Sequence, residues 1–278
     1  MVVPGRCRDI RTRHREEKPN PKWSPKHEQV PWYALFPNRV REIMSEEVAI
    51  HVNFSKPMPV FPLDAATLLP QQILPLHIFE ERYCQMVTHA LDSAGQIAMG
   101  IFQGSRWKQE YHGRPPLRSA ACIGQIMQHE SLPDGRFNII LQGVCRARIA
   151  RELPAEKGIL YRRALLRPVG VRAIDEEALD TMREWLGDVL SDGPLEQMRV
   201  AETVLGYVHN DEIPTSALLE LISFTMTGNG ELRYKLLAEG NPARRAQLLK
   251  NELLHLQEMI HAAKSQHPER WPKGVSWN

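Results

Sequence analysis

The chain has 278 residues, 42% hydrophobic and 24% charged, the composition of an ordinary globular protein with length enough for a sizeable buried core. No apolar run approaches the ~20 residues of a spanning helix, and Arg6, Arg8, Arg11, Arg13 and Arg15 lead into no apolar stretch, so neither a membrane span nor a secretory leader is expected. The net charge of +2 divides unevenly: residues 1–43 carry ten Lys/Arg against five Asp/Glu, which leaves 25 against 28 in the remainder and predicts no nucleic-acid groove there.

Residues 1–43 are proline-rich and charged and read as disordered. Their aromatics (Trp23, Trp32, Tyr33, Phe36) admit a docking or RNA-stacking arm. The preferred reading is untranslated upstream sequence, with Met44 as the true start. Asp9, Glu16 and Glu17 argue against an organelle transit peptide.

From Val48 to about Pro168 the sequence reads mostly as strand. Pro59 and Pro62 fix φ and remove donors, so Pro59–Leu63 should be extended, at an edge or at the entry to a sheet. After Pro75, apolar residues at Phe79, Tyr83, Met86, Val87, Ala90 and Leu91 follow a 3.6-residue period and predict a helix over 79–91. Glu80 and Glu81 would lie in its first turn, where the macrodipole favours negative charge. Residues 102–119 show no clean period and predict a loop that could offer a contact surface.

Cys122–His129 and Arg136–Gln142 predict a hairpin turned by Asp134-Gly135, because glycine accepts positive φ there. Beyond Gly143, expected to mark a bulge or bend, Cys145, Ala147 and Ile149 alternate with Arg146 and Arg148, whose face is expected to be solvated. Tyr161–Val169 predicts a further strand. The last 105 residues read as helices, with Asp175 as an N-cap and helices near 195–208, 214–226 and 230–239. Gly240-Asn241-Pro242 gives a stop, a cap and a first-turn proline. The closing helix should bury Leu249, Leu253, Leu256 and Ile260.

Two sets of residues carry a resemblance. Pro59-x-Phe61-Pro62-Leu63 precedes Leu69-Pro70-x-x-x-Leu74-Pro75-Leu76-His77-Ile78-Phe79-Glu80-x-Arg82-Tyr83. Downstream come Ile123-Gly124, Asp134-Gly135-Arg136, Gly143, Arg146 and Ile149. Together with the C-terminal run from Leu232 they resemble the LON substrate-binding domain over residues 57 to 258. The resemblance implies an α+β fold: a PUA-like β pseudo-barrel, a curled antiparallel sheet with one inserted helix, then a helical bundle. The expected organisation is an extension over 1–56, the pseudo-barrel over 57–170, the bundle over 171–264 and a frayed tail over 265–278. The fingerprint positions Pro62, Leu63, Pro75, Leu76, Phe79, Glu80, Arg82, Tyr83, Gly124, Asp134, Gly135, Gly143 and Arg146 are expected to be mainly structural, with Phe79 and Tyr83 filling the core. Glu80 and Arg82 are expected to tie the helix to neighbouring strands, and a polar ligand cluster of His77, Glu80, Arg82 and Tyr83 is the alternative.

Chemistry is sparse. There is no G-x-x-x-x-G-K-[ST] to cradle phosphates and no H-E-x-x-H to hold zinc, and no cofactor is expected. The four cysteines are far apart with no C-x-x-C pair, which predicts free thiols and a reducing cytoplasm. His129, Glu130, Ser131 and Asp134 resemble a hydrolase set, but neighbours on a hairpin face opposite ways. The resemblance therefore implies a non-enzymatic module that recognises unfolded polypeptide or a protein partner, such as a protease or chaperone, in protein quality control. RNA binding is the alternative, and an unrecognised hydrolase ranks third.

Overall fold

The two prolines of β1 explain how the sheet closes. A computed structural model describes residues 50–64, 66–111, 113–170 and 174–265. The readings for residues 1–49, for Met44 and for the tail past Ser265 lie outside the described residues. β1 (Met58–Leu63) is not an edge strand as expected: it pairs antiparallel with β6 (Arg162–Pro168) and parallel with β3 (Gln96–Ile101). The β6 pairing covers Met58–Val60 and the β3 pairing covers Val60–Leu63. Pro59 and Pro62 each therefore lie where the strand has a neighbour on one side only, which is how a proline is tolerated in a sheet.

β4 (Ala120–Ser131) and β5 (Phe137–Glu152) form the expected hairpin around Asp134-Gly135, with Gly135 at φ 81°. β5 pairs with β4 from Phe137 to Arg148, with β2 (Ile73–Ile78) from Phe137 to Gln142 and with β6 from Ala147 to Glu152. The ring β5-β4-β3-β1-β6 thus closes on β5, and β2 is the strand left at an edge. The parallel β1–β3 pair corrects the expectation of a wholly antiparallel sheet. At the expected irregularity the register shifts between Ile123 and Gly124. A Cβ on Gly143 would lie 2.0 Å from the Leu69 carbonyl oxygen, so only glycine fits where the two backbones meet.

The helix α1 is Glu81–Leu91, two residues shorter at its start than predicted. Tyr83, Met86, Val87 and Ala90 are buried as the period requires, but Phe79 is 62% exposed. Phe79 falls in the extended lead before the helix, where helical spacing no longer decides its direction. One face of the sheet, with Phe61, Ile97, Met99 and Cys122, shares a core with α1 and the C-terminal helices. The opposite face carries Met58, Val60, Ala98, Ile123, Ala147 and Ala164 as a separate cluster, whose small side chains suit a narrow ring.

Five helices follow: α2 (Asp180–Ser191), α3 (Ala201–Val208), α4 (Thr215–Thr225), α5 (Gly230–Ala238) and α6 (Pro242–Ser265). Their ends follow the local chemistry. Asn229 Oδ1 accepts from the amides of Glu231 (2.9 Å) and Leu232, and Asn241 Oδ1 accepts from those of Ala243 (2.9 Å) and Arg244. Leu249 and Leu253 of α6 are buried, whereas Leu256 and Ile260 are partly so. No described helix is long and apolar enough to cross a membrane.

Arg146 departs most from expectation. It lies in the interior at 6% exposure, and its guanidinium donates to both oxygens of Glu220 on α4 at 2.8 and 2.7 Å and to the Leu236 carbonyl at 3.0 Å. Arg245 of α6 approaches the same carboxylate at 3.1 Å, and burial holds its pKa below the ordinary guanidinium value. At Arg146 the face expected to be solvated is covered by helices that arrive from 74 or more residues away, whereas Arg148 on the same face is exposed as expected.

Candidate functional site

A cleft of about 610 Å³ opens between the start of α1 and two loops, residues 102–115 and 153–161. Its geometry begins at Glu80, the N-cap of α1, whose extended backbone (ψ 133°) turns the carboxylate away from the helix end. Arg82 donates to that carboxylate from Nε at 3.1 Å, with Nη2 at 2.9 Å, and from Nη1 to the Tyr111 carbonyl at 3.2 Å. The Tyr111 hydroxyl donates to the other Glu80 oxygen. Burial, and then this hydrogen bond, push the Tyr111 hydroxyl above the ordinary phenol range, so it stays a donor.

Aromatic contacts extend this arrangement. The Arg82 guanidinium lies over the rings of Tyr83 and Tyr111 at 4.6 and 4.5 Å. Tyr111 meets Trp107 edge-on, and Trp107 stacks parallel on Phe102 at 5.1 Å. The loop predicted to be a contact surface is therefore ordered by its own aromatic side chains and anchored to α1.

The second wall is held as firmly. Arg162 grips Glu152 through Nε (2.9 Å) and Nη2 (2.6 Å), and reaches the Pro115 carbonyl at 2.7 Å. Arg114 donates to the Leu153 carbonyl at 2.9 Å. Between them Tyr161 places its hydroxyl 3.0 Å from His89 Nδ1 of α1. The result is a cleft whose arginines all have protein partners, whose rim carries the exposed carboxylate of Glu81, and whose other walls include Pro62, Tyr83, Phe102, Tyr111, Leu160 and Tyr161.

The fingerprint positions divide. Pro62, Glu80, Arg82 and Tyr83 come together at this cleft. Leu63 closes β1, its carbonyl accepting from the Phe102 amide. Pro75 and Leu76 lie on the edge strand β2. Gly124 faces Leu141 so closely that a Cβ would meet its Cγ at 2.6 Å. Asp134 and Gly135 make the hairpin turn, Gly143 the close approach to Leu69, and Arg146 the buried ion pair. His77 is not in the cluster with Glu80 and Arg82. It lies on the outer face of the hairpin, with Nδ1 2.8 Å from Asn138 Oδ1 and Phe79 stacked beside it. The hydrolase set does not assemble either: His129 pairs across the ladder with Ile139, while Glu130 accepts from Asn138 and Asp134 pairs with Arg136. Among the described residues no group of three or more His, Cys, Asp or Glu is placed to hold a metal.

Gln85, Tyr111, Leu160, Tyr161 and Arg162 were not singled out from sequence as binding residues. No local pattern marks them, because each acquires its place from a partner far along the chain.

A curled ring of strands with one helix inserted, followed by a helical bundle, is the fold of a Lon N-terminal domain. Residues 57–255 match the family described as the ATP-dependent protease La (LON) substrate-binding domain, and the chain belongs to that family. It is 26% identical over 205 residues to a Lon protease of Trichlorobacter lovleyi, covering 73% of this chain and 24% of the relative. It is 28% identical over 137 residues to a Lon protease of Desulfovibrio desulfuricans, covering 48% of this chain and 15% of the relative. The chain thus spans a quarter or less of those relatives. Among solved structures it resembles the N-terminal domain of the Mycobacterium avium complex Lon protease, with a TM-score of 0.55 at 18% identity, covering 71% of this chain and 98% of that one.

Proposed function

We propose that this chain is a non-catalytic recognition module that holds an extended, apolar stretch of unfolded polypeptide, or of a protein partner, in the cleft beside α1. The observation that carries this reading is the lining. Every arginine of the cleft is engaged by protein groups, and apart from the exposed Glu81 carboxylate at the rim the surface left to meet a ligand is mainly aromatic and aliphatic, on α1 and two tethered loops. Preformed apolar walls capture side chains without demanding a particular sequence. The family's description as a substrate-binding domain of an ATP-dependent protease supports a place in cytoplasmic proteolysis or quality control, with a protease or chaperone as partner.

The test is equilibrium binding of a reduced, carboxymethylated protein, compared with the same protein folded. The unfolded form should bind saturably and with little dependence on salt, and Tyr111→Ala should weaken it by about tenfold. Binding of unstructured RNA instead, with an affinity that falls steeply as salt rises, would overturn the reading.

A further inference from the structure

The strap over 153–161 is held in an unusual way. Its backbone is gripped by a side-chain amide: Gln85 of α1 donates from Nε2 to the Gly158 carbonyl at 2.8 Å and accepts at Oε1 from the Leu160 amide at 2.8 Å. Gln85 thereby imitates the peptide unit of a neighbouring strand and satisfies one strap group on each side of Ile159. Gly158 supplies the left-handed turn (φ 87°) and Ile159 closes it by donating to the Glu156 carbonyl at 3.1 Å. At one foot the Leu153 amide donates to the Arg163 carbonyl at 2.8 Å, and at the other stands the Tyr161–His89 contact. Leu160, beside the Tyr161 foot of this immobilised segment, is 51% exposed and lines the cleft.

An exposed leucine is commonplace. One whose backbone is fixed by contacts independent of its own side chain is a different matter, because its ordering entropy is already lost before any ligand arrives. We infer that the strap selects the bound segment: Leu160 receives an aliphatic or aromatic side chain of the occupant, and Gln85 is the positioning residue that presents it. This rests on the polypeptide reading of the cleft and narrows it to an uncharged, apolar stretch. The charge pattern supports that occupant. Arg82 is ion-paired with Glu80 and Arg162 with Glu152, Arg114 donates to the Leu153 carbonyl and lies 3.7 Å from Glu152, and the exposed Glu81 carboxylate adds negative charge at the rim, so the cleft disfavours a phosphate or an acidic side chain.

The experiment uses the full chain and a set of short labelled peptides, identical except for a central Leu, Phe, Ser or Asp. The wild type should prefer Leu and Phe over Ser and Asp by about tenfold or more. Leu160→Ala should erase most of that preference while the thermal midpoint stays put, since neither Gln85 contact uses the leucine side chain. Gln85→Ala should weaken the preference in parallel and speed amide exchange at 156–160, which a purely structural leucine would not produce. An unchanged preference in Leu160→Ala, with binding still weakened by Tyr111→Ala, would overturn the strap's role and leave the cleft reading standing. A wild type that binds none of the peptides would overturn both, as would salt-sensitive RNA binding at the same residues. A concentration-dependent dimer abolished by Leu160→Asp would show that the occupant is a second copy and refute the inference.

Discussion

The buried triad of Arg146, Glu220 and Arg245 makes a prediction whose sign is not obvious. Two guanidiniums share one carboxylate, and all three side chains are less than a tenth exposed. Removing the carboxylate leaves two like charges in the interior, opposed by the Leu236, Glu239 and Gly240 carbonyls that the two arginines also reach and by the charge of Glu239 near Arg245. Removing Arg146 leaves a one-to-one pair and a single orphaned carbonyl. Breaking a buried pair by deleting one partner costs about 3–5 kcal/mol, and an unsatisfied carbonyl costs about 1–3 kcal/mol. Glu220→Gln should therefore destabilise by about 4 kcal/mol and Arg146→Met by roughly half of that. Against a typical stability of about 5–15 kcal/mol the first variant approaches the limit of folding. Urea titration followed by circular dichroism reads both. Equal losses, or a loss in Glu220→Gln below ~1 kcal/mol, would show that the carbonyls at the end of α5 neutralise the arginines, and that the carboxylate is not the keystone.

Other consequences follow from single positions. Gly143→Ala should prevent folding or cost several kcal/mol, because its Cβ would lie 2.0 Å from the Leu69 oxygen, whereas Gly135→Ala meets open space and should cost only about 1–2 kcal/mol for its positive φ; soluble yield and melting temperature separate the two. Arg118 pairs with Glu231 at 2.7 and 3.0 Å and, chiefly through that hydrogen bond, holds its carboxyl below the usual range. The stabilisation is thus present at neutral pH and is lost as pH falls through the lowered Glu231 value. Carbon-detected NMR should show the Glu231 midpoint rising in Arg118→Ala, and no change would refute the pairing. Burial pushes the Cys122 thiol far above its ordinary value. Iodoacetamide should therefore leave Cys122 unlabelled in the native protein and modify it on unfolding, as peptide mass mapping can show.

Legibility followed the range over which each feature is determined. The hairpin turn at Asp134-Gly135, the cap at Asn241 and the buried stripe of α1 depend on neighbours within a few residues, and the sequence displays them directly. Alternation placed Arg146 opposite Cys145, but which face meets water was decided by α4 and α6, whose contribution no local pattern announces. Prolines marked β1 as needing an open side; they could not reveal that two different strands each cover half of it. Glu80, Arg82 and Tyr83 stood out in the sequence but were expected to be mainly structural, while Gln85 and Leu160 stayed silent because their meaning is a contact across 75 residues.

Hydrogen exchange of the full chain, with and without a permanently unfolded polypeptide, tests the proposed cleft most directly. Protection should appear together at 80–83, 102–111 and 153–161 and leave α2 to α4 unchanged. Protection confined to the bundle or to the β2 edge, or none at saturating ligand, would contradict the account.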